Sequence, residues 1–410
     1  MSGASGPIRQ SPRHSPPSRY PPEVYFRRRL AVILTVALFI ALIVGLVTLT
    51  SGGNSAKRGT TTTTRPHTTT TATTPTAGPS GIGVKTVTWT DTNSSAAQVV
   101  SPAVGGHSSP RTFVTEIWYP STHKSKAGPV AGAKPDYRDG PYPVVVFAHG
   151  FDTLPSTYTP LLSAWVKAGF VVAAPRFPDE NADEISSLGN ATTSQLEIAE
   201  SDVINEPYDI ADVVSEVESG ATGAPSSGAA WLKGLVEPGK YALAGHSDGA
   251  QAVAALVYAQ ASGQEYATTY GDLATHPFAV IILSGSELSG SYAPPASPPA
   301  LLFVQSAVDE CNVPEDAGTL FHAAGGGIFL KLLEASHFGP YIGKGRAAGI
   351  VENVTAAFLK AALSGTPSAS ALLSLLTPAD VAVLYPPSTP PVLATLSPGP
   401  TERQAACSAR

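Results

Sequence analysis

The chain has 410 residues, 43% of them hydrophobic, a net charge of −6 and no basic block in its central region. This composition excludes a wholly disordered chain and leaves nucleic-acid binding without an electrostatic footprint. The two cysteines, Cys311 and Cys407, have neither zinc-ligand nor CxxC spacing, and whether they bridge or stay free is open in the sequence.

Residues 1–29 are rich in Ser, Pro, Gly and Arg and end in Arg27-Arg28-Arg29, which predicts a disordered segment. From Leu30 to Thr50 no charge interrupts an apolar run. At a rise of ~1.5 Å per residue, such a helix crosses a hydrocarbon layer of about 30 Å. Arginines before the run, against only Lys57 and Arg58 after it, predict a cytoplasmic N-terminus and an extracytoplasmic remainder at the cell membrane. A cleaved signal peptide is the alternative, but the run is long and no A-x-A site stands out after it. Threonine dominates residues 51–80, as in an extended stalk.

Between 81 and 365 short β-rich runs alternate with helical ones. Val84–Thr90 and Thr112–Tyr119 are expected to open the domain as an antiparallel pair. Tyr142–Ala148 (YPVVVFA) is continuously apolar, the signature of a strand covered on both faces. A helix with Tyr158, Leu161, Leu162 and Trp165 on one face follows, then a strand at Phe170–Ala174. Ile210, Val213, Val214 and Val217 recur at helical spacing, with Asp209, Asp212 and Glu216 expected outward. Tyr241–Ala244, Ala279–Leu283, Ala300–Gln305 and Ile328–Leu333 complete the expected strands, and Ile350, Val351, Val354 and Phe358 mark a late helix. The alternation predicts an α/β fold: a mostly parallel sheet with helices on both faces and ligands at the carboxyl ends of the strands. Residues 366–410 read as a Pro- and Ala-rich extension outside it.

Gly245-His246-Ser247-Asp248-Gly249 stands between the strand YALA and the helical run AQAVAALVYA. A Gly-x-Ser-x-Gly in that setting is a nucleophile elbow, with Ser247 on a tight turn at the sheet's tip. Serine near neutral pH needs a base oriented by an acid, and in such sheets the chain order is nucleophile, acid, base. Of the histidines after Ser247, His276 precedes a strand, and His322 falls in a helical run. His337 follows Ile328–Leu333 at the carboxyl end and is the expected base. Asp309, just past Ala300–Gln305, is the expected acid, with Glu310 a close rival and Asp316 a weaker one. The backbone N–H groups of Asp248 and of Phe151, in His149-Gly150-Phe151, are expected to form the oxyanion hole. The Asp248 side chain is expected to cap the elbow helix, and His149 and His246 to be packed and hydrogen-bonded.

The stretch TEIWYP…GPYPVVVFAHGF…LLSAWVKAGFVVAAPRFP…GHSDGA resembles the α/β hydrolases related to platelet-activating-factor acetylhydrolase, dienelactone hydrolase and bacterial polyester hydrolases. It covers most of residues 81–363, and the HGF loop and GHSDG elbow are its most specific parts. The resemblance implies an α/β-hydrolase fold that cleaves carboxylic esters through an acyl-enzyme and needs no cofactor. Dienelactone hydrolases carry a cysteine where this chain has Ser247, and the resemblance is silent on the anchor, stalk and tail. Only about sixteen residues separate the strands at 279–283 and 300–305, too few for a large helical cap, whereas the acidic insertion 178–201 has the length of a partial rim. An open site follows, lined by Phe151 and Phe338 and suited to short-chain, oxidised or polymeric esters rather than a deep lipase tunnel, with a small-molecule, lipid or polymeric ester as the expected partner. An acyltransferase or peptidase on the same residues, and a non-catalytic envelope scaffold, are the competing expectations.

Overall fold

The apolar runs become strands and the runs with helical period become helices, because each buries its apolar face against the same sheet. The computed structural model describes residues 79, 81–90, 111–125, 128–224, 228–260, 276–288, 291–365, 367–376, 381–387, 389 and 391–393. The expected cytoplasmic segment, the anchor at 30–50 and nearly all of the stalk lie outside these residues. Among the described residues no helix is long and apolar enough to cross a membrane.

In chain order the elements are β1 (Gly81–Thr90), β2 (Thr112–Ser121), β3 (Val130–Ala131), β4 (Tyr142–Ala148), α1 (Thr159–Lys167), β5 (Val171–Pro175), α2 (Ala182–Ser187), α3 (Thr193–Glu200) and α4 (Glu206–Thr222). There follow β6 (Val236–His246), α5 (Asp248–Tyr258), β7 (Ala259–Gln260), β8 (Ala279–Leu283), β9 (Ser291–Tyr292), β10 (Ala300–Ser306), α6 (Pro314–Ala323), β11 (Ile328–Leu332), α7 (Gly339–Ile342), α8 (Arg346–Ser364), α9 (Ala369–Leu373) and β12 (Ala382–Tyr385). A ten-stranded sheet runs in the order β12-β11-β10-β8-β6-β4-β5-β2-β1-β3. From β5 through β4, β6, β8 and β10 to β11 every neighbour is parallel. β1 and β2 pair antiparallel as expected, from Gly81 opposite Ser121 to Thr90 opposite Thr112.

Side chains alternate across the central strands, so each strand feeds two cores. On one face Val145, Phe147, Ala242, Ala244, Ile281 and Val304 meet α1 and α8. Trp165 of α1 donates its indole N–H to Thr355 Oγ1 of α8 at 2.8 Å, which satisfies the one polar atom of a fully buried side chain. On the other face Val144, Val146, Leu243, Val280 and Phe303 meet α4, α5 and α6. Each large apolar side chain fully buried this way contributes about 1.5–3 kcal/mol.

Two expectations are corrected here. Asp209 does not face outward: it is fully buried, and its carboxylate takes two hydrogen bonds from Arg111, which also clamps Asp202. Helical period marks which positions can be buried, but only the tertiary partner, far away at Arg111, decides that an acid joins them. The chain after 365 is likewise not wholly outside the domain. Ala382–Tyr385 pairs antiparallel with β11 as the last strand of the sheet, burying Ala382 and Leu384 and covering an edge that would otherwise be open.

Candidate active site

β6 ends directly in the elbow. Ser247 has φ 55° and ψ −119°, a strained left-handed backbone that aims its side chain away from both strand and helix. The turn is this tight because its neighbours lack side chains. A Cβ on Gly245 would lie 2.2 Å from the Gly249 carbonyl oxygen, and one on Gly249 would lie 2.4 Å from the carbonyl oxygens of Ala148 and His149. Ser247 N–H donates to Leu283 O at 3.0 Å, and Ser247 O accepts from Ala250 and Gln251, so strand β8 and helix α5 both hold the bend.

The loops after β10 and β11 converge on this serine. His337 Nε2 lies 2.9 Å from Ser247 Oγ, and His337 Nδ1 lies 2.9 and 3.0 Å from the two oxygens of Asp309. Asp309 is fully buried and accepts three further bonds, from Cys311 N–H, Asn312 N–H and Gln305 Nε2. Burial alone pushes its pKa up, but the His337 charge and the hydrogen bonds outweigh that and hold it below the ordinary aspartate value. The carboxylate therefore stays ionised and fixes the proton on His337 Nδ1, leaving Nε2 to accept from the serine. Glu310, the rival acid, does other work: its Oε2 accepts the His337 backbone N–H at 2.8 Å. Asp316 lies in the first turn of α6, His322 is exposed on the same helix, and His276 is exposed just before β8.

The expected oxyanion donors flank the serine. Asp248 is the first residue of α5, and Phe151 follows Gly150, whose added Cβ would lie 2.9 Å from Ser247 Cβ. Among the described residues, neither the Phe151 nor the Asp248 amide donates to another backbone group. Phe151 and Phe338 are both half-buried. The Asp248 side chain does not cap the helix: its Oδ1 accepts from Gln251 Nε2, and among the described residues its Oδ2 meets no donor. Ser247 occupies the N-cap position, so Asp248 sits one residue too late to reach back to the free amides. His149 is fully buried, Nδ1 donating to Gly150 O and Nε2 accepting from Phe177 N–H. Burial, which outweighs the bond to Gly150, lowers its pKa to about 4 and keeps it neutral.

Sequence reasoning missed a group of buried acids beside the loop His149-Gly150-Phe151. Glu180 accepts the Asp152 N–H through its backbone, and its carboxyl Oε1 lies 3.9 Å from His149 Nδ1. Its carboxyl interacts with that of Glu206, both are fully buried, and among the described residues no donor N–H or O–H reaches either. Burial and the neighbouring carboxyl both favour the protonated form of such a group. Burial first, and then for Glu206 the charge of Glu180, raises both pKa values well above the ordinary 4.5; burial and the Glu200 charge raise Asp248 too. The only sequence signal was the acidic character of 178–201, which gives no hint of burial. A raised acid pKa means that the folded state holds the extra proton. Its stabilising contribution is complete below the ordinary value of about 4.5 and is lost as pH climbs through the raised folded values. Glu206→Gln is therefore expected to flatten the fall of Tm as pH rises above 4.5 and to be more stable than wild type at the alkaline end. Parallel Tm–pH curves by scanning calorimetry would overturn the raised pKa values of this pair.

Among the described residues, Asp309, Cys311 and His337 bring ligand-type atoms within 4.8 Å of one another. Cys311 is disulfide-bonded, so its sulfur is not a thiolate ligand; Cys407, the other cysteine, lies outside the described residues. The remaining pair is already engaged in the Asp309–His337 hydrogen bond.

A parallel sheet with helices on both faces, a serine elbow after the central strand β6, and an acid and a histidine from the ends of β10 and β11 are the architecture of the α/β-hydrolase fold. Residues 105–199 match the family model described as Chlorophyllase, a span that holds the His149-Gly150-Phe151 loop and ends before Ser247. Among solved structures, a ferulic acid esterase from Streptomyces cinnamoneus is similar at 21% identity and a TM-score of 0.47, over 70% of this chain and 92% of that one. No curated protein sequence matches the chain.

Proposed function

We propose that the chain hydrolyses carboxylic esters by transient acylation of Ser247. The observation that carries this reading is the linear set of contacts Ser247 Oγ–His337 Nε2 at 2.9 Å and His337 Nδ1–Asp309 at 2.9 Å. His337 takes the serine proton as Oγ attacks the ester carbonyl, and Asp309 stabilises the imidazolium that forms. The carbonyl oxygen becomes an oxyanion beside the amides of Phe151 and Asp248. Collapse of the intermediate breaks the ester C–O bond, and His337 returns the proton to the leaving alkoxide. Water, deprotonated by the same imidazole, then releases the acid and regenerates the serine. No step calls for a cofactor. The match of 105–199 to the chlorophyllase family model supports the hydrolase reading, since that span supplies the oxyanion loop.

The reading extends to location and substrate. The charge-free run 30–50, preceded by three arginines, supports a single-pass anchor that leaves the catalytic domain outside the cytoplasm. Among the described residues, the connection from β8 to β10 holds only the two-residue β9, which supports an open site for short, oxidised or polymeric esters. The full-length protein is expected to react with a fluorophosphonate probe and to label in the membrane fraction. Ser247→Ala should not label and should lose roughly 10⁴-fold or more in turnover of p-nitrophenyl acetate. An unlabelled wild type would sink the proposed chemistry, and a strong preference for palmitate over acetate esters would sink the open site.

A further inference from the structure

His246, the residue before the nucleophile, is a fully buried polar side chain that the steps above do not use. Its ring packs against those of Tyr158, His337, Phe338 and Tyr341, at centroid distances of 5.6, 4.7, 5.1 and 4.6 Å. Nε2 lies 3.1 Å from the backbone carbonyl oxygen of His337, and Nδ1 lies 2.8 Å from the Tyr158 hydroxyl. A carbonyl only accepts, so Nε2 carries the proton and donates; Nδ1 of the neutral ring then accepts from Tyr158 O–H. The tyrosine oxygen in turn accepts the N–H of Gly150 at 3.2 Å. One directional chain thus runs from the oxyanion loop through α1's leading turn and the elbow to the backbone of the catalytic base.

We propose that His246 is a positioning residue, the brace that fixes the base loop and the oxyanion loop to the strand end that presents the nucleophile. The proposal rests on the hydrolytic reading for its kinetic part. His337 is gripped on both sides of its own peptide unit: Glu310 accepts its N–H and His246 donates to its C=O. The second grip comes from the residue adjoining Ser247, so the spacing between base and nucleophile is set within one dipeptide rather than across two independent loops. Through Tyr158 the same ring holds Gly150, and hence the amide of Phe151 beside it. An apolar side chain of equal size would fill the space but remove the donor to His337 and the acceptor for Tyr158.

The test compares His246→Leu, His246→Gln and Tyr158→Phe in the full-length protein. A glutamine amide can still donate to the His337 carbonyl; leucine cannot. A displacement of about 1 Å in a catalytic group costs about 10²-fold in rate. His246→Leu is therefore expected to lose about 100-fold in kcat with KM within about threefold of wild type, and His246→Gln to recover most of that loss. Tyr158→Phe, which removes one hydroxyl, should lose about tenfold in kcat and keeps the test open if His246→Leu fails to fold. Wild-type kcat in His246→Leu or Tyr158→Phe, or equal loss in the leucine and glutamine variants, overturns the brace. Amide exchange over residues 333–342 separates this from the chemistry. Faster exchange in the variants than in wild type supports the brace even if the wild type proves unreactive, a result that would count only against the hydrolytic reading; unchanged exchange overturns the brace.

Discussion

Asp309→Asn is expected to lower kcat/KM by about 10⁴-fold while the protein keeps its fold. The size of the effect follows from the crowding of donors around this one carboxylate. Its oxygens accept from Cys311 N–H, Asn312 N–H, Gln305 Nε2 and His337 Nδ1. An asparagine must turn its NH₂ toward one of these donors. If it faces His337, the imidazole has to place its proton on Nε2 instead, and Nε2 can then no longer accept from Ser247. If it faces Gln305, two donors oppose each other in a buried site, and the remaining neutral oxygen stabilises an imidazolium far less than a charge does. Either way the base at Ser247 is lost or much weakened, while Ser247, the elbow and the His149-Gly150-Phe151 loop stay in place. Steady-state kinetics with p-nitrophenyl acetate, alongside Tm, checks this: a loss below about tenfold would mean that Glu310 or another acid can serve.

Gly249→Ala is expected to damage stability and activity together, costing about 3 kcal/mol or more of folding free energy and about 100-fold in kcat. The added methyl carbon would lie 2.4 Å from the carbonyl oxygens of both Ala148 and His149. These are backbone atoms at the end of a central strand, covered on both faces, and have nowhere to retreat. Helix α5 would have to move off β4, carrying Ser247 and the Asp248 amide away from His149-Gly150-Phe151. Gly349 offers the control, since a Cβ there meets nothing within 4 Å. Gly349→Ala on helix α8 should leave Tm unchanged or raise it slightly. Thermal unfolding of the pair decides the matter; an unchanged Tm in Gly249→Ala would show that the elbow is slacker than its contacts imply.

The elements were legible because their signals are local. YPVVVFA reads as a two-faced strand without knowing its neighbours, and the elbow glycines announce a turn that tolerates no Cβ. Asp309 and His337 were readable for a related reason: topology puts strand ends on one side of a parallel sheet, so residues just after β10 and β11 must lie near the residue just after β6. The ionic partners were not legible. Arg111 and Asp209 are 98 positions apart, and nothing in either neighbourhood distinguishes a buried ion pair from two solvated charges. Glu180 lay within the stretch read as an acidic rim and Glu206 carried no signal at all, because a raised acid pKa depends on burial and contact that only packing creates. The tail's last strand escaped notice because four residues with one free edge to pair with carry too little pattern of their own. By itself, then, the sequence determined the α/β alternation, the serine on its tight bend and the order in which Ser247, Asp309 and His337 reach one end of the sheet, since each follows from nearest-neighbour sterics and chain topology. Tertiary structure alone decided which polar groups meet in the dark interior, because a hydrogen bond there depends on atoms that only folding brings within about 3 Å.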